Sequence, residues 1–418
     1  MISRRALVSA LTARKVADWV VIERAQEVAS LVEDRALRRA ESRTRWTLIV
    51  HHDVSRGRGT AHLELGTRQG EAGDLVDQAI SLASAAIGPA WTSTPAAAPA
   101  KVNVLDPVLE RADLAVVAAD LAAKAKRPGG TEVRLALELL RERVTVQAES
   151  GFHTAWTATN LRAEGLVALG EHSLEITREA RRRGDLDLDD AIARAATDLA
   201  LIGGAGAPVL GPCAVILGAD ALLHGGGLGV WSVFADHASA ETERQGLTRY
   251  RQSTAIAPGA DQIAEPLTIT SDGALDFAAR SAPVGDEGDA VRRFALIERG
   301  IATGLGISAR EAARRKVDPN GGVRNLVIAR GTWNDAPLPT RTIEVRRLRS
   351  LAIDPYTGDA SLELGLAIDR QTGQAFTGGT LRLDLVAALA RARRSSTALR
   401  RGPYLGPAAV LIEDAELI

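Results

Sequence analysis

Seven histidines and a single cysteine are the nitrogen and sulfur ligands this 418-residue chain can offer a transition metal. Zinc-dependent hydrolysis needs two or three N, O or S ligands on rigid backbone, and a carboxylate to take a proton from the bound water. The segment His224–Gly229 supplies one histidine followed by four glycines among five residues, so it holds one potential ligand and no base. His51-His52-Asp53 lies in an extended pattern, which sends the two imidazoles to opposite faces. His62 could sit across a hairpin from His52, giving two ligands at most; a surface histidine pair is the plainer reading. His153 and His172 have no neighbouring ligand pattern. His237 and Glu241 would share a face on a helix, among acidic residues that suit a polar surface. The lone Cys213 excludes an internal disulfide and a multi-thiolate site, and fits a reducing cytoplasm.

Other chemistries fare no better. His224-Gly225-Gly226-Gly227 is like the oxyanion loop of some esterases, but no G-x-S-x-G nucleophile elbow exists. No G-x-G-x-x-G or G-x-x-x-x-G-K-[ST] pattern supports nucleotide binding. Asp286-Glu287-Gly288-Asp289 gathers three carboxylates that could bind a hard cation, or simply form an acidic turn before a strand. The 51 basic and 52 acidic residues leave a net charge of −1, without the basic footprint of a nucleic-acid binder. No apolar run approaches the roughly 20 residues of a membrane span, so no membrane association is expected.

The elements that must position these groups change character along the chain. A helix is expected over 3–14, then extended stretches at 19–22 and 44–54, where Trp46, Leu48, Val50, His52 and Val54 alternate with the residues between them. Arg56-Gly57-Arg58-Gly59 reads as a turn before a strand at 60–65. Helical spacing marks 74–87, 113–126 and 189–202, and the prolines of 89–100 mark a loop. Between the last two helices, 133–140, 143–149, 154–169 and 173–180 read as antiparallel strands, because their connections are too short for parallel crossovers. Gly203 to Pro208 ends the helix at 189–202 and suggests a boundary. Beyond it come an apolar strand at 209–217, the start of a helix at 219–223, and short strands at 267–270, 290–298, 323–329, 342–351, 361–368 and 408–417. One helix interrupts these strands, at 309–315, behind the Ser308/Glu311 capping-box pattern. The expected architecture is α+β: residues 1–205 form an antiparallel sheet with flanking helices, and 206–418 a β-rich, rolled or barrel-like unit.

Several segments in register resemble the TldD/PmbA family. Leu222-Leu223-His224 and Ser281-Ala282-Pro283 with Asp286-Glu287-Gly288 are similar to two of its landmarks. Leu296-Ile297-Glu298-Arg299-Gly300 resembles its L-I-E-x-G segment, and Gly322-Val323-Arg324-Asn325-Leu326 its T-N strand. Tyr356-Thr357-Gly358-Asp359-Ala360-Ser361 resembles its T-G-D-F-S turn, and Glu149-Ser150-Gly151 its N-S-x-G hairpin.

The resemblance implies a two-domain fold and a role in an intracellular zinc metalloprotease complex. The family's catalytic member carries an H-E-x-x-x-H helix and a late cysteine ligand. Its TldE/PmbA-type partner lacks them, and the two subunits enclose a peptide-binding cavity. His224 matches the first histidine, while Gly225 stands in place of the glutamate and Gly229 in place of the second histidine. No cysteine follows Cys213. Loss of a general base alone costs on the order of 10²–10⁴ in rate. The implied role is therefore a non-catalytic subunit with no catalytic or metal-binding residues of its own, zinc belonging to a TldD-like partner in a heterodimer or larger assembly. His224, Asp286, Glu287 and Asn325 become candidates for a peptide channel or an interface. Two alternatives stay open: a homo-oligomer, such as a homodimer, that binds peptides as a scaffold, and a hydrolase of altered chemistry using His224, His237 or Asp286.

Overall fold

The computed structural model describes residues 2–33, 37–55, 57–66, 70–88, 90–91, 98–335, 337–339 and 341–418. Ser3 caps a first helix, α1 (Arg4–Ala13), by accepting from the Ala6 amide. Strands β1 (Asp18–Val32), β2 (Leu37–Val54) and β3 (Gly57–Gly66) follow, then α2 (Ala72–Ala85), β4 (Ile87–Gly88) and α3 (Leu114–Lys124). Three more strands, β5 (Glu132–Ala148), β6 (His153–Leu169) and β7 (His172–Ala180), lead to α4 (Leu188–Ile202). All seven strands form one antiparallel sheet in the order β4-β3-β2-β1-β5-β6-β7.

The alternation of side chains assigns the two faces of this sheet. Trp19, Val21, Leu48 and Val50 pack with Leu7 and Leu11 of α1 and Val76 and Ala79 of α2. Leu135, Leu137, Leu161 and Ile176 pack with α3 and α4. Val20, Ile22, Ile49, Val144 and Val146 form a separate apolar group that includes Val284 from the second half of the chain.

The pattern of charged residues hid the length of these strands. The expected break at 23–43 shrinks to the connection between Val32 and Leu37 and the one at 141–142 is absent, because β1, β2 and β5 run through Arg and Glu residues that pair across strands, such as Arg24 with Glu142 at 3.2 Å. The expected turn at 56–59 is partly replaced by strand: Arg56 lies outside the described residues, and Gly57 to Gly59 already belong to β3. Gly59 is there for clearance, since a Cβ would sit 1.7 Å from the Ala83 carbonyl oxygen of α2. Of the loop at 89–100, Pro89 and residues 92–97 lie outside the described residues, while Trp91 is buried edge-on against His51 at 5.0 Å.

Beyond the glycines at 203–206 come β8 (Gly211–Leu217) and the short helices α5 (Ala219–Leu222), α6 (Ser232–His237) and α7 (Ala240–Arg244). Next are β9 (Ile269–Asp272), β10 (Arg293–Glu298), β11 (Ile301–Ala302), α8 (Ala309–Arg315) and β12 (Asn325–Ile328). The chain then forms β13 (Thr342–Ile353), β14 (Asp359–Asp369), β15 (Ala375–Phe376), β16 (Thr380–Asp384) and α9 (Leu385–Arg391). It ends with β17 (Arg393–Arg394), β18 (Ala398–Arg401), β19 (Tyr404–Pro407) and β20 (Val410–Leu417). Pairing runs β13-β8-β20-β16-β14 and closes where β14 returns to β13, which makes a five-stranded barrel. Closure removes exposed sheet edges, and Val215, Leu217, Val345, Leu362, Leu364, Leu381 and Val410 belong to its buried core. A second sheet, β11-β10-β9-β12-β19-β18, shares that core.

The expected α+β architecture and barrel-like second half are thus the observed ones. Ser308 caps α8 as its pattern predicts, accepting from the Glu311 amide. The Glu311 carboxylate, however, reaches Arg244 and Arg314 rather than back to the cap. Helices α6, α7 and α9 escape the sequence reading, because each has two turns or fewer in which to show a period. No helix among the described residues is long and apolar enough to cross a membrane.

Candidate functional site

The connection from β9 to β10 leaves the second half of the molecule and lies against the first sheet. Its Pro283 carbonyl accepts from the Ala100 amide at 2.7 Å, and its Phe277 amide donates to the Asn103 carbonyl at 2.7 Å. Arg181, just past β7, clamps it: Nε donates to the Ala278 carbonyl at 2.9 Å, and Nη2 to those of Ala279 and Ser281 at 2.8 and 2.9 Å. Burial lowers the pKa of Arg181, whose hydrogen bonds all go to carbonyl oxygens and none to a carboxylate.

Two adjoining hollows flank this connection. The smaller, about 180 Å³, has a floor of Ile22, Val144, Val146 and Trp156 from the sheet, and Arg24, Arg181, Arg280 and Arg324 around it. The larger, about 540 Å³, is lined by Glu287, Asp289, Ser308 and Gly322 among others. Arg280, Asp286 and Arg324 belong to both, so they form the waist between them.

Three of the four sequence candidates meet here. Asp286 is exposed at the waist, with its carboxylate 3.6 Å from Arg324. Glu287 is 24% exposed and lies 3.8 Å from His62 Nε2 on β3. Burial, then the neighbouring Asp289 and Asp286, push Glu287 up to about 7, while burial pushes His62 down. At neutral pH the contact is therefore not a fully charged ion pair. Asn325 is completely buried at the start of β12. Its Nδ2 donates to the Asp272 carbonyl at 2.6 Å and to Ser281 Oγ at 2.9 Å, and its Oδ1 accepts from the Arg280 amide at 2.9 Å. It can shape the hollows only through the Arg280–Ser281 corner that it holds.

His224 stands apart, and lines neither hollow. It follows α5, where the expected helix stops after four residues. Gly225, Gly226, Gly227 and Gly229 all have positive φ, so the segment is a loop of turns before α6. At Gly229 a Cβ would fall 2.0 Å from the Leu222 carbonyl oxygen, and at Gly226 one would touch Thr177 of β7 at 3.6 Å. Burial lowers the pKa of His224, which favours the neutral imidazole.

The remaining histidines differ from expectation in two places. His62 pairs with Ile49, and His52 with Gly59, so the two imidazoles do not face each other across the hairpin. His237 is buried rather than on a polar surface, with Nδ1 2.7 Å from Thr248 Oγ1; it ends α6, and Glu241 belongs to the separate helix α7. Its charged neighbours are Arg249, Asp354 and Asp384, not His224 or Asp286. Among the described residues no three His, Cys, Asp or Glu side chains converge as metal ligands. At His224 the next three positions are glycines, which offer no donor side chain.

One feature near His224 had no signal in the sequence. Asp220 of α5 is 8% exposed and receives Arg401 at 2.8 Å, Arg178 at 3.1 Å, Arg194 at 3.3 Å and Arg347 at 3.6 Å. Burial would raise Asp220, but the four guanidiniums outweigh it and hold the carboxylate well below the usual range. Burial and the repulsion of Arg401 bring Arg178 down to about 10. These arginines come from β7, α4, β13 and β18, so the cluster ties both halves of the chain together.

Residues 225–416 match the PmbA/TldA metallopeptidase C-terminal domain. No curated protein sequence matches the chain. Among solved structures, a candidate modulator of DNA gyrase from Bacteroides thetaiotaomicron superposes with a TM-score of 0.80 at 15% identity, covering 100% of this chain and 99% of that one. TldE from Thermococcus kodakarensis gives 0.74 at 16% identity, covering 99% and 100%. A candidate modulator of a DNA gyrase from Thermotoga maritima gives 0.74 at 14% identity, covering 99% of each chain. At these identities the likeness is one of fold.

Proposed function

We propose that the chain, whose residues 225–416 match the PmbA/TldA metallopeptidase C-terminal domain, is a TldE-like, non-catalytic subunit of a zinc peptidase complex, contributing an interface and a peptide-binding channel. The observation that carries this reading is the glycine loop after His224. Three ligands and a base need side chains on one rigid element, and here the positions one and five residues on are glycines at φ +72 and +52. A side chain at Gly229 would run into the Leu222 carbonyl. Metal and base then come from a partner with an H-E-x-x-x-H helix. The two hollows beside Asp286 and Glu287 are the part of the channel this chain supplies, with the barrel and second sheet as its scaffold. The same proposal places the protein in the cytoplasm and divides it at residue 205. In support of that division, the strands of the first sheet end at Ala180, α4 packs on β6 and β7, and the barrel begins at Gly211.

Elemental analysis and co-purification test the reading together. The pure chain is expected to carry far less than one zinc per molecule and to show no peptidase activity. Tagged and co-expressed with an H-E-x-x-x-H homologue from the same genome, it is expected to retain that homologue at a fixed ratio. One tightly bound zinc per chain would sink the proposal.

A further inference from the structure

The smaller hollow has an unequal charge lining: four guanidiniums, from Arg24, Arg181, Arg280 and Arg324, face two carboxylates, from Glu142 and Asp286. Their pairings show where the surplus lies. Arg24 is matched by Glu142 at 3.2 Å. Arg181 gives its hydrogen bonds to backbone carbonyls, and Glu179 and Glu142 act on it only through space. Arg324 uses Nε on the Gly321 carbonyl at 3.0 Å, and its Nη2 is 3.6 Å from Asp286, beyond hydrogen-bond reach. The Arg280 side chain is exposed, and among the described residues it has no ion-pair partner within 4.0 Å. Its backbone, by contrast, is fixed by the buried Asn325. Beneath these groups lies the apolar floor of Ile22, Val144, Val146 and Trp156.

Arg280, with no carboxylate within 4.0 Å among the described residues, and Arg324, only loosely held by Asp286 at 3.6 Å, stand at the mouth of an apolar slot of about 180 Å³ and suit a carboxylate attached to one aliphatic side chain. Planar guanidinium forks recognise carboxylates with two parallel hydrogen bonds. The imbalance of the lining, four guanidiniums to two carboxylates, favours an anion and disfavours an ammonium group. We infer that Arg280 and Arg324 form an anchor for a peptide carboxylate, with an apolar side chain of the same peptide seated on the Val144–Val146–Trp156 floor. The anchor rests on the reading of the hollows as a peptide channel, and it adds polarity: the carboxylate end points at the smaller hollow. The carboxylate can be a C-terminus or an acidic side chain, since both present the same group.

Fluorescence anisotropy on the full chain separates these possibilities, using three N-terminally labelled peptides. The first is Ala-Ala-Ala-Leu with a free C-terminus, the second its C-terminal amide, and the third the amide of Ala-Ala-Glu-Leu. The free acid is expected to bind about tenfold more tightly than its amide, as charge-assisted pairing predicts. Arg280→Gln should remove that preference and leave binding of the amide unchanged, while Arg280→Lys should restore part of it. Recovery of affinity by the glutamate peptide assigns the anchor to acidic side chains; recovery by the free acid alone assigns it to the C-terminus. Equal binding of all three peptides, or a preference that survives Arg280→Gln, overturns the anchor and leaves the channel intact. Failure of every peptide to bind overturns both the anchor and the channel.

Discussion

Glu287 shows how one residue makes stability depend on pH. Its pKa is about 7 in the folded chain, above the ordinary carboxylate value, because burial and the charges of Asp289 and Asp286 disfavour ionisation. Between the unfolded and folded values, the native state holds the proton that the unfolded state has released. Stability therefore falls as pH rises through that window. Glu287→Gln is expected to change the melting temperature little at pH 5, near the bottom of that window, and to raise it at pH 8. The gain should be on the order of 1–3 kcal/mol, discounted for the solvent that reaches the side chain. Thermal melts of both proteins across pH 5–8 measure it, and parallel curves would refute the assignment. At this scale the sequence indicated which residues to watch but not their surroundings. Asp286 and Glu287 stood out as an acidic group, and Asn325 through a family segment. That Asn325 is buried, and that Arg280 is the exposed group it holds, depended on contacts between residues 45 apart.

The element following α5 is decided by glycine. Each glycine in a helix costs roughly 1 kcal/mol relative to alanine, so four of them within five residues argue against a helix. The structure adds that Gly229 is also a steric requirement, at φ +52 with a Cβ clash of 2.0 Å against backbone. Gly229→Ala is expected to destabilise the protein by about 2–4 kcal/mol, through left-handed strain and displacement of the Leu222 carbonyl. Gly225→Ala, which meets open space, should cost about 1 kcal/mol. Chemical denaturation distinguishes the two. For the same reason, Gly225→Glu combined with Gly229→His should not create a zinc site, although it rewrites the sequence as H-E-x-x-x-H. Long strands were harder to read from sequence than this loop. In β1, β2 and β5 the middle residues are charged on the exposed parts of the sheet, and pattern alone does not distinguish charged strand from loop.

At the scale of the whole molecule, the Asp220 cluster joins what the sequence keeps apart. One carboxylate serves Arg178, Arg194, Arg347 and Arg401, and Arg347 is shared with Asp198, which also binds Arg346 at 2.6 Å. Asp220→Asn leaves these guanidiniums buried without their shared counter-charge. The expected loss is about 3–5 kcal/mol, the usual cost of breaking a buried pair by removing one partner. Differential scanning calorimetry should show a melting temperature several degrees lower, and a change below one degree would mean that solvent already screens the cluster. The α+β class, the antiparallel first sheet, most of the helices and the family resemblance were all legible in the sequence, because they rest on periodicity, turn residues and short local motifs. Closure of the barrel, the hollows between the β9–β10 connection and the first sheet, and the arginines around Asp220 were decided only by tertiary structure. The physical reason is range: a helix or hairpin is set by residues a few positions apart, whereas these features bring together side chains from distant strands, and a single chain carries no local record of which arginine will meet which carboxylate.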